Sequence, residues 1–199
     1  RPAVRLATGG QARAAALGFV FRTAARHGTR EGWGVSLFLE TMASKGSARR
    51  SAADVNRDFE KIGADNNAFT SEEATVYYAA VLPEYLPQVV DVLADILRPS
   101  LREDDFQPEK KVVLTEIAKY EDQPGHVLYE RCRQLFYGTH KLGNSVLGTV
   151  QSVGALTRDQ MESYFRRRYV PANITVAITG QFQWEAFVEL VRQRCANAV

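Results

Sequence analysis

The sequence has few of the residues from which small reactive or metal sites are usually built. It contains two cysteines, three histidines, two methionines and two tryptophans in 199 residues. Cys132 and Cys195 lie far apart, and neither is flanked by a second thiol or a histidine at metal-ligand spacing. This excludes a disulfide framework and a zinc knuckle, and we expect both cysteines to be small buried apolar residues.

Long apolar runs and an excess of one charge are also missing. No segment is long and apolar enough to span a bilayer, and no charged-then-apolar signal sequence is present at the N-terminus. The chain opens at Arg1 directly in a strand-like pattern, so a removed leader and the cellular location both stay open questions. Lys and Arg number 25 against 23 Asp and Glu, which argues against nucleic acid as a partner.

The densest basic cluster is Arg166-Arg167-Arg168, between Phe165 and Tyr169 in an amphipathic helical pattern. Snorkelling side chains on a solvated helix face explain this cluster, and binding of nucleic acid or anionic lipid is the minor alternative. With 45% hydrophobic and 24% charged residues, the chain is long enough to bury one substantial core.

Apolar periodicity predicts strands that alternate with pairs of helices. Two strand-like runs, 2–7 and 14–22, flank Thr8-Gly-Gly10 and predict an N-terminal hairpin. Three further strands are predicted at 68–70, 74–81 and 174–179, and a Gly-rich loop at 138–148. Helices are predicted at 31–43, 51–62, 85–97, 106–120, 125–137, 157–169 and 184–194. This order favours an α+β fold, with an antiparallel or mixed sheet and helices packed mainly on one face.

The most informative segment is Gly34-Val-Ser-Leu-Phe-Leu-Glu-Thr-Met42. In an inverted zinc motif, H-x-x-E-H, two imidazoles one turn apart on a helix hold zinc and the Glu activates water. Leu37 and Thr41 occupy the two imidazole positions here, and Glu40 occupies the position of the base. The segment therefore indicates a peptidase scaffold from which both metal-binding nitrogens have been lost.

Four blocks of the chain, in order, resemble the pitrilysin and insulinase family of zinc peptidases. This family includes mitochondrial processing peptidase and the core subunits of the respiratory cytochrome complex. The matching blocks are 34–47, 67–78, 109–116 with 120–122, and 142–149 followed by 169–173. The resemblance implies a processing-peptidase-like domain over residues 1–199, as a fragment of a longer two-domain chain.

The resemblance also gives roles to residues outside the first helix. Glu116 matches the third zinc ligand on a later helix, and Glu109, two turns earlier on the same face, matches a supporting acidic residue. Without the resemblance both would be interpreted as exposed residues among lysines. Asn67 and Ala68 match an Asn-Ala pair on an edge strand that binds substrate backbone by strand addition, although Asp65-Asn-Asn67 is equally typical of a turn.

We expect no metal and no other cofactor in this chain, although active relatives hold zinc. Leu37 offers no donor atom and Thr41 only a neutral hydroxyl, whereas catalytic zinc needs three protein ligands. Glu40 would then have no acidified water to deprotonate, so it is expected to be a vestigial base. The histidines are expected in solvent-facing loops and turns that do not rebuild a metal site: His27, His126 and His140.

Three functions are compatible with these observations. In the first, the chain is a noncatalytic zinc-peptidase homologue that acts as scaffold or peptide-gripping half of a chambered protease assembly. In the second, it is part of an active zinc metalloendopeptidase whose metal site lies in another domain or subunit. In the third, it is a structural core subunit of a membrane-bound respiratory complex. The first is favoured, with a homologous peptidase-family domain or subunit and an extended peptide as expected partners.

Overall fold

The computed structural model describes residues 3–8, 12–28 and 32–195. Within these ranges the chain forms five strands and eight α-helices. The strands are β1 (Ala3–Thr8), β2 (Ala15–Phe21), β3 (Asp65–Thr70), β4 (Thr75–Val81) and β5 (Ile174–Gly180). The helices are α1 (Val35–Ala43), α2 (Ala52–Lys61), α3 (Leu86–Ile96), α4 (Glu103–Glu121), α5 (Pro124–Tyr137), α6 (Val150–Ala155), α7 (Arg158–Arg168) and α8 (Trp184–Cys195). None of the helices in the described ranges is long and apolar enough to cross a membrane.

The strands form one mixed sheet in the order β1-β5-β2-β4-β3. β1 runs parallel to β5, and the other neighbours are antiparallel. One face of the sheet is buried because alternate side chains of the inner strands point into the core: Leu17, Phe19, Phe21, Tyr77, Ala79, Val81, Val176 and Ile178. The residues between them are mostly half-buried or exposed, so the α+β fold with helices on one face is confirmed.

The predicted N-terminal hairpin is wrong. β1 and β2 lie in the same sheet, but β5 is inserted between them and pairs with both. The local alternation indicated two strands correctly, whereas the neighbour of each strand is set by a segment near the other end of the chain. The loop predicted at 138–148 contains a short 3-10 turn, Lys141–Gly143. Helix α6, which follows it, was not predicted, although Thr149 and Ser152 form a capping box at its start.

Helix α1 begins four residues later than predicted because of a close backbone contact. Gly34 has φ +88°, and a Cβ at this position would lie 2.6 Å from the carbonyl oxygen of Leu147. Gly148 has φ +80°, and a Cβ at this position would lie 2.6 Å from the carbonyl oxygen of Trp33 and 2.9 Å from Cα of Gly34. Glycine is required on both sides of this contact, which fixes the start of α1 against the loop before α6.

The buried face of α1 carries large apolar side chains that pack between the sheet and α4. Phe38 and Leu39 are fully buried, and the ring of Phe38 stacks on Phe106 of α4 with centroids 4.8 Å apart. On the side toward α7, the Ser36 hydroxyl lies 2.7 Å from the hydroxyl of Tyr164. These contacts hold α1 rigidly, and the helix presents its remaining face to the edge of the sheet.

A buried cluster of charges joins the segment after α1 to helix α3. Asp95 is 2% exposed, accepts a hydrogen bond of 2.7 Å from the Ser47 hydroxyl, and lies 2.9 Å from Nη1 of Arg50. The same guanidinium is 2.6 Å from Asp91, which also pairs with Arg194 of α8 at 3.0 Å. Burial alone would raise the pKa of Asp91, but the guanidinium groups of Arg50 and Arg49 hold it below its usual value.

We expect Asp95→Ala to lower the free energy of unfolding by about 1–3 kcal/mol, because the buried Ser47 hydroxyl loses its acceptor and the Arg50 guanidinium loses one of its carboxylate partners. Chemical denaturation followed by circular dichroism measures this loss. Asp159→Ala is the control, since Asp159 is an exposed partner of Arg158 and should change stability little. Equal effects of the two substitutions would contradict a structural role for the cluster.

Candidate functional site

The outward face of α1 carries the degenerate motif. Leu37, Glu40 and Thr41 are half-buried on this face. The hydroxyl of Thr41 donates a hydrogen bond of 2.9 Å to the carbonyl oxygen of Phe38, within its own helix. Its capacity to donate is therefore used locally, and Leu37 contributes only carbon atoms.

Glu40 is tied to the edge of the sheet. Its Oε2 accepts a hydrogen bond of 2.7 Å from the Thr70 hydroxyl, at the end of β3. Burial raises the pKa of Glu40, the hydrogen bond from Thr70 opposes the rise, and the negative charge of Glu116 adds to it. Glu116 on α4 is thus close enough to α1 to act on Glu40 electrostatically.

Glu109 lies deeper than Glu116 and has its own counterion. It is 6% exposed, and its Oε2 is 2.6 Å from Nζ of Lys45, in the turn that follows α1. The ion pair neutralises the carboxylate inside the site. Lys45 is four residues beyond Thr41, and this spacing could have indicated that it lies near the same face.

Asn67 and Ala68 lie on β3, which is the edge strand of the sheet and pairs with β4. Asn67 is opposite Tyr78 and Ala68 is opposite Tyr77. The backbone N–H of Ala68 donates a hydrogen bond of 2.8 Å to Oδ1 of Asn67, so this amide points away from β4. These two residues are in a strand, and the turn alternative for 65–67 does not apply.

A pocket of about 280 Å³ brings most of these positions together. It lies between helices α1, α2, α3 and α4 and strands β3 and β4. Its walls include five of the seven candidate residues: Glu40, Thr41, Asn67, Ala68 and Glu109. Leu37 and Glu116 are not among its lining residues, and apolar side chains such as Phe59 and Leu93 close its inner side.

The residues present do not fit a zinc ion. Of the three positions that would supply ligands, Leu37 has no donor atom, Thr41 has only a neutral hydroxyl, and Glu116 alone carries a carboxylate. No group of three or more His, Cys, Asp and Glu side chains in the described ranges is placed to hold a metal ion. Metal chemistry at this site therefore has no support from its donor atoms.

The histidines and cysteines differ in part from expectation. His126 lies in the first turn of α5, not in a loop, and its ring is 4.6 Å from that of Tyr120. His27 ends a short 3-10 turn and is half-buried, whereas His140 is exposed. Cys132 is exposed on α5, so its predicted burial is wrong. Arg166 is on the solvated end of α7 and pairs with Glu162.

A family model described as Insulinase (Peptidase family M16) matches residues 4–150. The chain belongs to the M16 insulinase family. It is 36% identical to the uncharacterized zinc protease YmxG of Bacillus subtilis over 182 residues, which are 91% of this chain and 44% of YmxG. It is 33% identical over 183 residues to a probable mitochondrial-processing peptidase subunit beta of Arabidopsis thaliana, covering 92% of this chain and 34% of that protein.

The fold is also similar to that of a solved peptidase M16 inactive domain from Pseudomonas fluorescens. The TM-score is 0.88 at 20% identity, with 98% of this chain and 48% of that chain covered. The M16 chain thus spans less than half the length of each protein named here. The comparisons give no support to a subunit of a respiratory complex.

We expect Glu40→Gln to stabilise the protein at neutral pH, because an acid whose folded pKa is raised favours folding less when it is ionised. The stability gain should be complete above the raised pKa, shrink as the pH falls through it, and vanish below the ordinary value of 4.5. Thermal unfolding of both proteins across this pH range measures the difference.

Glu60→Gln serves as the matched control, since Glu60 is exposed on α2. A difference between Glu40→Gln and the parent protein that does not change with pH would contradict this account of Glu40.

Proposed function

We propose that this M16 chain is a noncatalytic unit that works as scaffold or peptide-gripping half beside a homologous peptidase-family domain or subunit. The observation that carries the proposal is the donor set around Glu40. One of the three ligand positions has no donor atom and a second has only a neutral hydroxyl, while the edge strand beside them keeps an outward-facing amide. Such an arrangement can bind an extended peptide at the sheet edge but cannot hydrolyse its peptide bonds by zinc chemistry.

The internal pairing of the acids supports the same conclusion. Glu109 is neutralised by Lys45, and Glu40 receives a hydrogen bond from Thr70 that offsets part of the cost of its burial, so both acids have partners within the protein and not on a metal ion. A homologous partner that supplies the zinc site would make the assembly an active protease, and the role of this chain within it would be the same.

The metal part of the proposal can be tested by restoring the motif. We expect Leu37→His/Thr41→His to bind about one zinc ion per chain, because Glu116 would then complete three ligands of the type that zinc prefers. The parent protein should bind none. Isothermal titration with zinc, and metal analysis of protein purified without chelators, measure both.

The same double variant carrying Glu116→Gln is the control and should bind zinc much more weakly. A folded double variant that takes up no zinc would overturn the placement of Glu116 opposite α1. Zinc in the parent protein, or cleavage of peptides by it alone, would overturn the noncatalytic assignment.

The gripping part of the proposal concerns the Ala68 amide. We expect Ala68→Pro to weaken binding of an unfolded polypeptide, such as reduced carboxymethylated α-lactalbumin, by about tenfold, since one strand-addition hydrogen bond is lost. Fluorescence anisotropy of the labelled polypeptide measures the affinity. Ala68→Ser keeps the amide and should bind like the parent protein, whereas equal affinity for all three proteins would exclude β3 as the binding edge.

A further inference from the structure

Helix α5 is oriented opposite to the usual pattern for a surface helix. An uncharged stripe of five side chains at i, i+1, i+4, i+7 and i+8 faces solvent: Leu128, Tyr129, Cys132, Leu135 and Phe136. Leu135 is 85% exposed and Phe136 is 83% exposed. Leu128 and Tyr129 are 65% and 58% exposed. An amphipathic helix in a self-sufficient domain normally turns such a face inward.

The inward side of α5 is polar and firmly held. Arg133 is 8% exposed, and its Nη2 donates hydrogen bonds to the carbonyl oxygens of Leu142 at 2.6 Å and Asn144 at 3.2 Å. Its Nη1 lies 2.9 Å from Glu72, in the turn between β3 and β4, and 3.0 Å from Glu130.

This buried arginine fixes the rotation of the helix. Turning the apolar stripe inward would carry Arg133 away from its three partners outside the helix, the carbonyl oxygens of Leu142 and Asn144 and the carboxylate of Glu72. These acceptors would lose a charged donor, which is costly. The exposed stripe is therefore built into the fold, and a contiguous apolar patch of this kind marks an interaction surface.

We propose that the α5 stripe is the docking surface for a second M16 unit that differs in sequence from this chain. This inference rests on the proposed function, which calls for a homologous partner, and it places that partner on a particular helix. The matched region makes up 44% of YmxG and 48% of the P. fluorescens chain. Those proteins thus accompany a unit of this kind with about as much polypeptide again.

The side chains of the stripe also indicate what kind of surface the partner presents. It carries no charged side chain, which disfavours nucleic acid or a strongly charged peptide as the occupant. Its two most exposed residues, Leu135 and Phe136, suit an apolar surface that can enclose them, and exposed Arg131 beside the stripe suits an acidic rim on the partner.

Cys132 supplies a direct probe because it lies within the stripe. In a Cys195→Ser background it is the only thiol, and a maleimide should label it rapidly in the chain alone. The chain is mixed in turn with each complete M16 polypeptide encoded in its source genome, and complexes are isolated by size exclusion with light scattering. We expect one of them to form a complex in which labelling of Cys132 slows at least tenfold.

Leu135→Glu/Phe136→Glu should abolish this complex, whereas Leu82→Glu, at a half-exposed leucine far from α5 in the sequence, should leave it intact. A complex that survives the α5 variant, or that leaves Cys132 as reactive as before, would overturn the docking site while the proposed function stands. Self-association of the chain that protects Cys132 would assign the stripe to a second copy and overturn the proposal. If no M16 polypeptide binds the chain, both the docking site and the proposed function, which requires a homologous partner, are overturned.

Discussion

The packing of α1 between the sheet and α4 is the constraint on which the arrangement of this domain depends. Phe38 and Phe106 form the stacked contact at its centre, and Gly34 and Gly148 allow the backbone at the start of the helix to approach the loop before α6. Because interiors are close-packed, this contact leaves α1 little freedom to rotate. The positions of Glu40 beside β3 and of Lys45 beside Glu109 follow from it.

The candidate site shows how an acidic cluster can persist without a metal ion. Carboxylates in a partly buried pocket are unfavourable unless a hydrogen bond or an opposite charge compensates them. Thr70 supplies the hydrogen bond for Glu40, and the Lys45 ammonium supplies the charge for Glu109. Glu116 remains as the nearby negative charge that contributes to the raised pKa of Glu40. The protein itself thus neutralises Glu109, whereas ionised Glu40 keeps a net cost that Thr70 only reduces.

Local sequence patterns predicted where helices and strands lie along the chain better than they predicted which strands lie next to each other. Helix α2 follows directly from Ser51 and Asp54 as a capping box, and β5 follows from the apolar run that ends at Gly180. The pairing of β1 and β2 with β5 was missed, because strand order depends on contacts between distant segments that no local pattern reports. Likewise, the periodicity of α5 shows an apolar stripe but not whether it faces the core or solvent. The orientation is set by the hydrogen bonds from Arg133 to the backbone of the loop at 142–144. The positions around Glu40 came from the family resemblance, and their partners Thr70 and Lys45 needed the structure.

The side chain of Asn67 has a consequence for how this protein behaves when its edge strand is empty. By accepting a hydrogen bond from the Ala68 amide, it occupies a donor that would otherwise be free to pair with any extended segment. A visiting strand must displace this side-chain oxygen before it can join the sheet, so weak or accidental pairing, including that between molecules of the protein itself, is disfavoured. Asn67 thus blocks the Ala68 amide on the open edge until another strand displaces its side chain.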